Sequence, residues 1–230
     1  MLGDVGPSIV SQPFLAEVSP DAAAELHALG IRRRFPPGAA IFVEGDTAHE
    51  TLILLDGIVK ISVSSLEGRE VILDIVGPGA LIGELSAVDG QPRSATATTL
   101  KPVEVLVIPC SMFIELMHRR PELMYRLLVL VTNRLRSSVR RQLEFGTGDA
   151  LGRLCARLVE LAAEYGVSRP DGAIDIDLPV TQADLASWTG LSREAVVKAL
   201  RNLRGLGWVT GAGRQVTLVK PERLRDRAVG

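Results

Sequence analysis

Six glycines, at positions 38, 45, 57, 68, 77 and 79, cut the first half of the chain into short apolar runs. The runs between and after them, TLILLDGIVKISV, GREVILDIVGPGALIG and ATATTLKPVEVLVIP, are crowded with β-branched residues. No helix of ordinary length fits between such breaks, whereas strands of five to seven residues do. The spacing predicts an antiparallel sandwich or barrel over Phe35 to Val107. A short helix precedes it at Pro20 to Leu29, with Ser19 as N-cap and Gly30 at its end.

After Pro109 the texture turns helical. PELMYRLLVLVTNRLRSSVRRQL, residues 121–143, contains no glycine and no internal proline, and Pro121 suits a first helical turn. Met124, Leu128, Val131, Leu135 and Ser138 alternate four and three apart along one seam, while Arg134, Arg136, Arg140 and Arg141 fall mostly off it. Periodicity alone fits a helix packed on its own domain as well as one seam of a dimeric coiled coil. Phe145, Gly146, Thr147 and Gly148 are expected to break the helix and supply a hinge. Another helix is predicted over 149–165, and a strand at Ile174 to Leu178.

Residues 180–203, VTQADLASWTGLSREAVVKALRNL, carry two capping signals. Thr181 with Asp184 forms a capping-box pattern for a helix ending near Trp188, and Gly190 permits the left-handed turn after it. Ser192 caps a second helix, with Val196, Ala199, Leu200 and Leu203 as its buried stripe and Arg193, Glu194, Val197, Lys198 and Arg201 opposite. Two short helices across a tight turn make a helix-turn-helix, and GAGR in GLGWVTGAGRQVTLV is the turn of a hairpin that can serve as a wing. The bland alternative is a solvated face on an ordinary helix pair. Charge argues against it: residues 181–230 hold nine Lys or Arg against four Asp or Glu, a net of +5, and the preceding 180 hold seventeen against twenty-three, a net of −6. A basic tail on an acidic body fits a nucleic-acid partner.

GELSAVDGQPRSATA, residues 83–97, is sparing with charge and flanked by apolar runs, yet contains Glu84 and Arg93. Either the two form an internal ion pair closing a β-bend, or they are two ends of a small-molecule site. A guanidinium offers a planar fork that matches phosphate oxygens.

Several classes drop out. Cys110 and Cys155 lie far apart without CxxC spacing, so neither a disulfide scaffold nor an iron–sulfur or zinc site is expected. His27, His49 and His118 form no pattern for haem or another metal, and no clustered His and carboxylate ligands suggest an enzyme. Residues 1–13 lack the basic start and apolar run of a signal peptide, and no stretch reaches the roughly 18 apolar residues of a membrane span, so the cytoplasm is the expected location.

SWTGLSREAVVKALRNLRGLGWV resembles the helix-turn-helix of the Crp/Fnr family of bacterial transcription regulators. GELSAVDGQPRSA resembles the phosphate-binding cassette of that family's cyclic-nucleotide domain, and PPGAAIFVEGDTAHETLILLDGIVKI the start of its β-roll. The likeness spans about residues 20–220, in the family's order, and is nearest the cyclic-AMP receptor branch.

The resemblance implies an α+β architecture: an N-terminal antiparallel β-roll over 1–120, a dimerisation helix over 121–145, and a C-terminal winged helix-turn-helix over 146–230. It implies that Glu84 accepts from a ribose 2′-hydroxyl and that Arg93 and Ser94 hold the cyclic phosphate; Gly83 and Leu85 lie at a short turn whose backbone N–H groups are expected to add to the anion site. The adenine-contacting hydroxyl pair falls on Ser138 and Val139, so only the first survives. At DNA, Arg193, Glu194 and Lys198 take the base-reading positions, Lys198 replacing the usual arginine, with Thr181, Gln182, Ser192 and Arg201 at phosphates. The implied protein is not an enzyme. It is a homodimer on palindromic double-stranded DNA with TGTGA-like half-sites, with RNA polymerase as a further partner and no membrane. Its effector is cyclic AMP rather than cyclic GMP, with no metal, haem or iron–sulfur cluster; the alternative is a regulator of the same fold that is ligand-independent or answers another effector. Ligand at Ser138 would shift the hinge at Phe145 to Asp149.

Overall fold

A computed structural model describes residues 13–229. They divide into two compact units, with the boundary along the chain between Arg136 and Ser137.

The first unit opens with a 3-10 turn, Phe14–Glu17, and helix α1, Pro20–Leu29, whose N-cap Ser19 accepts from the Ala22 amide. Eight strands follow: β1 (Ile31–Phe35), β2 (Ala40–Phe42), β3 (Glu50–Asp56), β4 (Val59–Ser64), β5 (Glu70–Val76), β6 (Leu81–Ile82), then, after the short helix α2 (Glu84–Asp89), β7 (Thr96–Thr99) and β8 (Val103–Pro109). They make two four-stranded antiparallel sheets, ordered β1-β8-β3-β6 and β2-β7-β4-β5.

The strands β3 and β8 are apolar on both faces, and the packing explains it. Leu52, Leu54, Val105 and Val107 point between the sheets with Val59, Val76 and Ala97. Ile53, Leu106 and Ile108 point the other way, onto α1, α3 (Cys110–Arg119) and the start of α4 (Pro121–Thr147), where Leu26, Phe113, Leu116, Leu123 and Leu127 complete a second core. A strand covered on both sides loses the polar alternation of a half-exposed one.

Helix α4 therefore has two apolar faces. Leu123, Leu127 and Leu130 are buried, while Met124, Tyr125, Leu128, Leu135, Val139 and Leu143 are exposed. Packing on its own domain accounts for the first face and leaves the second uncovered. The helix also runs further than the sequence suggests, through Phe145, Gly146 and Thr147 to a break at Gly148. A glycine in a helix costs about 1 kcal/mol. The side chains just before Gly146 are held: Glu144 accepts from Arg157, and the Phe145 ring lies against Gly190.

The second unit continues with α5 (Ala150–Tyr165), β9 (Gly166–Ser168), β10 (Ile174–Asp177), α6 (Gln182–Thr189), α7 (Arg193–Gly205), β11 (Val209–Ala212), β12 (Gln215–Leu218) and α8 (Pro221–Val229). The four strands form one antiparallel sheet, β11-β12-β10-β9. Among the described residues no helix is long and apolar enough to cross a membrane.

Candidate functional site

The segment 83–97 places Glu84 and Arg93 in the interior of the first unit, 1% and 5% exposed. They do not pair with each other. Arg93 donates from Nη1 to the Gly83 carbonyl at 3.0 Å and from Nη2 to the Glu50 carbonyl, and its guanidinium lies 4.3 Å from the centre of the Phe42 ring. Gly83 allows this close approach: its φ is +74°, and a Cβ there would run into the Arg93 guanidinium. Burial pulls the Arg93 pKa below its ordinary value, opposed by Cys110, Glu50, Glu84 and Asp46. None of its hydrogen bonds is to a carboxylate, so a desolvated cation is held in place by carbonyl dipoles and a ring face.

Glu84 is satisfied from elsewhere. Arg134, on α4, donates to Glu84 Oε1 and, at 2.7 Å, to the Leu81 carbonyl. The sequence shows Arg134 only as a charge beside an apolar seam. Fifty residues separate the partners, and the one available signal is that an isolated acid in an apolar segment requires a cation. Of the other expected residues, Ser94 is exposed at the strand entry beside Arg93, and Leu85 is 42% exposed on α2. Ser138 is exposed on the C-terminal part of α4, within the second unit. His27, His49 and His118 are exposed, whereas Cys155 is buried, with its thiol pushed up to about 11 by desolvation.

In the second unit the capping signals set the geometry. Thr181 Oγ1 accepts from the Asp184 amide at 3.1 Å and Asp184 answers at the Thr181 amide, completing the box. Gly190 ends α6 at φ +65°, and a Cβ on it would meet the Phe145 ring at 2.8 Å. Ser192 accepts from the Ala195 amide and opens α7. Val196, Ala199, Leu200 and Leu203 are buried, leaving Arg193, Glu194, Lys198 and Arg201 exposed on the other side. Such a side presents three cations and one carboxylate from one helix. The Glu194 carboxylate is held below its usual range, first by its own backbone N–H at the helix start and then by the Ser192 hydroxyl, so it stays an acceptor. Gln182 is half-buried, and the Thr181 hydroxyl also donates to Asp184. The wing follows as β11 and β12, with Gly213 and exposed Arg214 at its tip.

Two family profiles match these regions: the one described as cyclic nucleotide-binding domain covers residues 32–120, and the one described as Crp-like helix-turn-helix domain covers 152–227. The CRP-like cAMP-activated global transcriptional regulator of Mycobacterium tuberculosis (strain ATCC 25618 / H37Rv) is 34% identical over 194 residues, 84% of this chain and 86% of the relative. Among solved structures, FixK2 from Bradyrhizobium japonicum aligns with a TM-score of 0.77 at 21% identity, over 86% of this chain and 96% of its own. The regulator CLP of Xanthomonas campestris, described as c-di-GMP responsive, aligns with a TM-score of 0.76 at 24% identity, over 87% and 99%. These two structures share the fold.

Proposed function

The chain belongs to the Crp/Fnr family of transcription regulators, and from that premise we propose that it works as a homodimer whose DNA affinity is set by cyclic AMP. That it is a DNA-binding regulator with a cyclic-nucleotide-type domain, and not an enzyme, follows from the family. The finer reading rests chiefly on Arg93: a guanidinium 5% exposed, hydrogen-bonded to carbonyls alone, is a site prepared for an anion.

In this reading the cyclic phosphate sits on Arg93 and Ser94, framed by Gly83 and Leu85. With Oε1 occupied by Arg134, Glu84 offers Oε2 to the ribose 2′-hydroxyl. The exposed α4 residues Met124, Leu128 and Leu135 face a second copy of the chain, and Ser138 on that helix supplies the hydrogen bond to the base. Arg193 reads guanine, Glu194 a cytosine amino group and Lys198 guanine or phosphate, while Arg201, Ser192, Gln182 and Thr181 stand at the backbone. The dimer then spans palindromic half-sites about one helical turn apart, TGTGA-like in sequence, and meets RNA polymerase in the cytoplasm. Cyclic AMP can act only by binding the DNA-competent state more tightly than the other.

Val139 supports a second reading. It places an apolar side chain where the resemblance expects a base-contacting hydroxyl, which favours a different cyclic nucleotide. Calorimetric titration of the purified dimer with cyclic AMP, cyclic GMP and cyclic di-GMP separates the two. Heat with cyclic AMP that disappears in Arg93→Ala, with affinity lowered at least a hundredfold, is the expected result. Two lost charge-assisted bonds are worth about that much. Binding of another nucleotide alone would replace the effector, and no heat with any of them in a folded dimer would leave a regulator without nucleotide control.

A further inference from the structure

The last turn of α4 carries two side chains that the proposed nucleotide and DNA sites do not use. Glu144 Oε2 accepts from Arg157 Nη2 on α5 at 2.8 Å, and Arg157 also meets Glu160 at 3.0 Å. Arg157 is 2% exposed, and its guanidinium lies 5.4 Å from the centre of the Trp188 ring on α6, itself 4% exposed. Beside this cluster, the Phe145 ring covers Gly190 at the helix-turn-helix corner. Arg153 lies 5.6 Å from that ring and donates to the Gly148 carbonyl at 2.9 Å and to the Thr189 carbonyl at 3.0 Å.

These contacts have a direction. From residue 144 onward, the end of α4 is bonded to α5 and, through Arg157 and Trp188, to the first helix of the helix-turn-helix. A fully buried cation between two carboxylates and an indole face has excellent alternatives in neither solvent nor a shifted rotamer, so it resists sliding. We infer that Arg157 is a positioning residue for DNA recognition: with Glu144 and Trp188 it clamps the last turn of α4 to the reading head, so that a displacement reaching Glu144 is delivered to α7 without loss. The joint that takes up movement then lies before Glu144, inside the helix, and not at the glycines after it. The coupling part of this inference rests on the nucleotide control proposed above, but the clamp itself does not.

The two carboxylates on Arg157 make the test selective. Glu144→Gln strips the charge from the link to α4, weakening it to a neutral hydrogen bond at most, and leaves Arg157 ion-paired with Glu160 alone; Glu160→Gln does the reverse. In the full-length dimer, hydrogen exchange at the Gly148 amide, which donates to the Glu144 carbonyl, is expected to quicken at least tenfold in Glu144→Gln and less than twofold in Glu160→Gln. The ratio of specific DNA affinity with and without cyclic AMP is expected to fall at least fivefold in Glu144→Gln, with the nucleotide dissociation constant changed less than twofold, and to hold in Glu160→Gln. Arg157→Lys, which keeps the charge and loses the fork, should fall between. Equal effects of the two glutamine variants on exchange at 148 would overturn the clamp. A wild-type affinity ratio of one would remove nucleotide control and leave the clamp to be judged on exchange and on nucleotide-free DNA affinity, which must then drop in Glu144→Gln alone.

Discussion

Arg93 and Arg193 are the same side chain in opposite settings. Arg93 is enclosed by Phe42, two carbonyl oxygens and a glycine that makes room for it, and Arg193 stands exposed in the first turn of α7. A ligand with one phosphate offers few contacts, so each must act in a desolvated setting where charge is worth more. DNA offers many phosphates and a repeating groove, so exposed cations suffice, each contributing little and each sensitive to salt. If Arg93 holds a cyclic phosphate and Arg193 meets DNA, as proposed, the two units recognise their partners differently: by preorganised burial in one and by a solvated helix face in the other.

The largest effect should come from breaking the buried arrangement beside Arg93. Arg134→Met removes the cation bonded to the Glu84 carboxylate, a side chain that is buried in the wild type at 1% exposure. The expected loss is about 3 kcal/mol of unfolding free energy, the lower end for breaking a buried pair because Arg134 is partly exposed. Urea denaturation measures it. The double variant Glu84→Gln/Arg134→Met should recover much of that loss, since it removes the uncompensated charge. Identical losses in the single and double variants would show that packing, not charge, is what Arg134 contributes.

On the exposed side, effects are expected to be smaller and to differ in kind. Arg193→Ala should cost about 1–3 kcal/mol on a site with guanine at its position and little on one without, relaxing sequence choice. Arg201→Ala should weaken all sequences alike and lower the slope of log affinity against log salt by about 1. Titrating both variants against specific and scrambled duplexes at several salt concentrations tests the division. Sequence-independent losses of equal size from both would erase the distinction between a base-reading and a backbone-binding arginine.

The reading head was legible in the sequence because its signals are local. Thr181, Asp184, Gly190 and Ser192 fix two helix ends by contacts no more than four residues apart, and the stripe from Val196 to Leu203 needs only the helical period. The strands after Gly38 were legible from glycine spacing, but β1 (IRRRF), which precedes the first of those glycines and is mostly exposed, was not, nor was which face of β3 or β8 meets which layer, since both faces are apolar. What stayed hidden is long-range. The partner of Glu84 lies on another element fifty residues on, and α4 passes Gly146 because Glu144 and Phe145 are held by Arg157 and by the surface of Gly190. Local propensity argued for a break there, and tertiary contacts outweighed it.

The smallest effect concerns a second acid, Asp149, which contrasts with Glu84 in being largely exposed. It caps α5, accepting from the Gly152 amide at 2.8 Å, and pairs with Arg227 on α8. Its carboxyl is held below the usual range first by the Gly152 N–H and then, against some burial, by Arg227. A depressed folded-state pKa means that the unfolded chain binds the proton more readily. The stabilisation is therefore complete above the ordinary carboxylate range and is lost as pH falls through the lower folded value. Asp149→Asn keeps the cap and discards the charge. Urea midpoints of the wild type and this variant should differ at neutral pH and converge as the solution is acidified below pH of about 4. A difference that persisted unchanged well below that pH would mean that the cap's geometry, not the ionised carboxylate, carries what Asp149 contributes to joining α5 with α8.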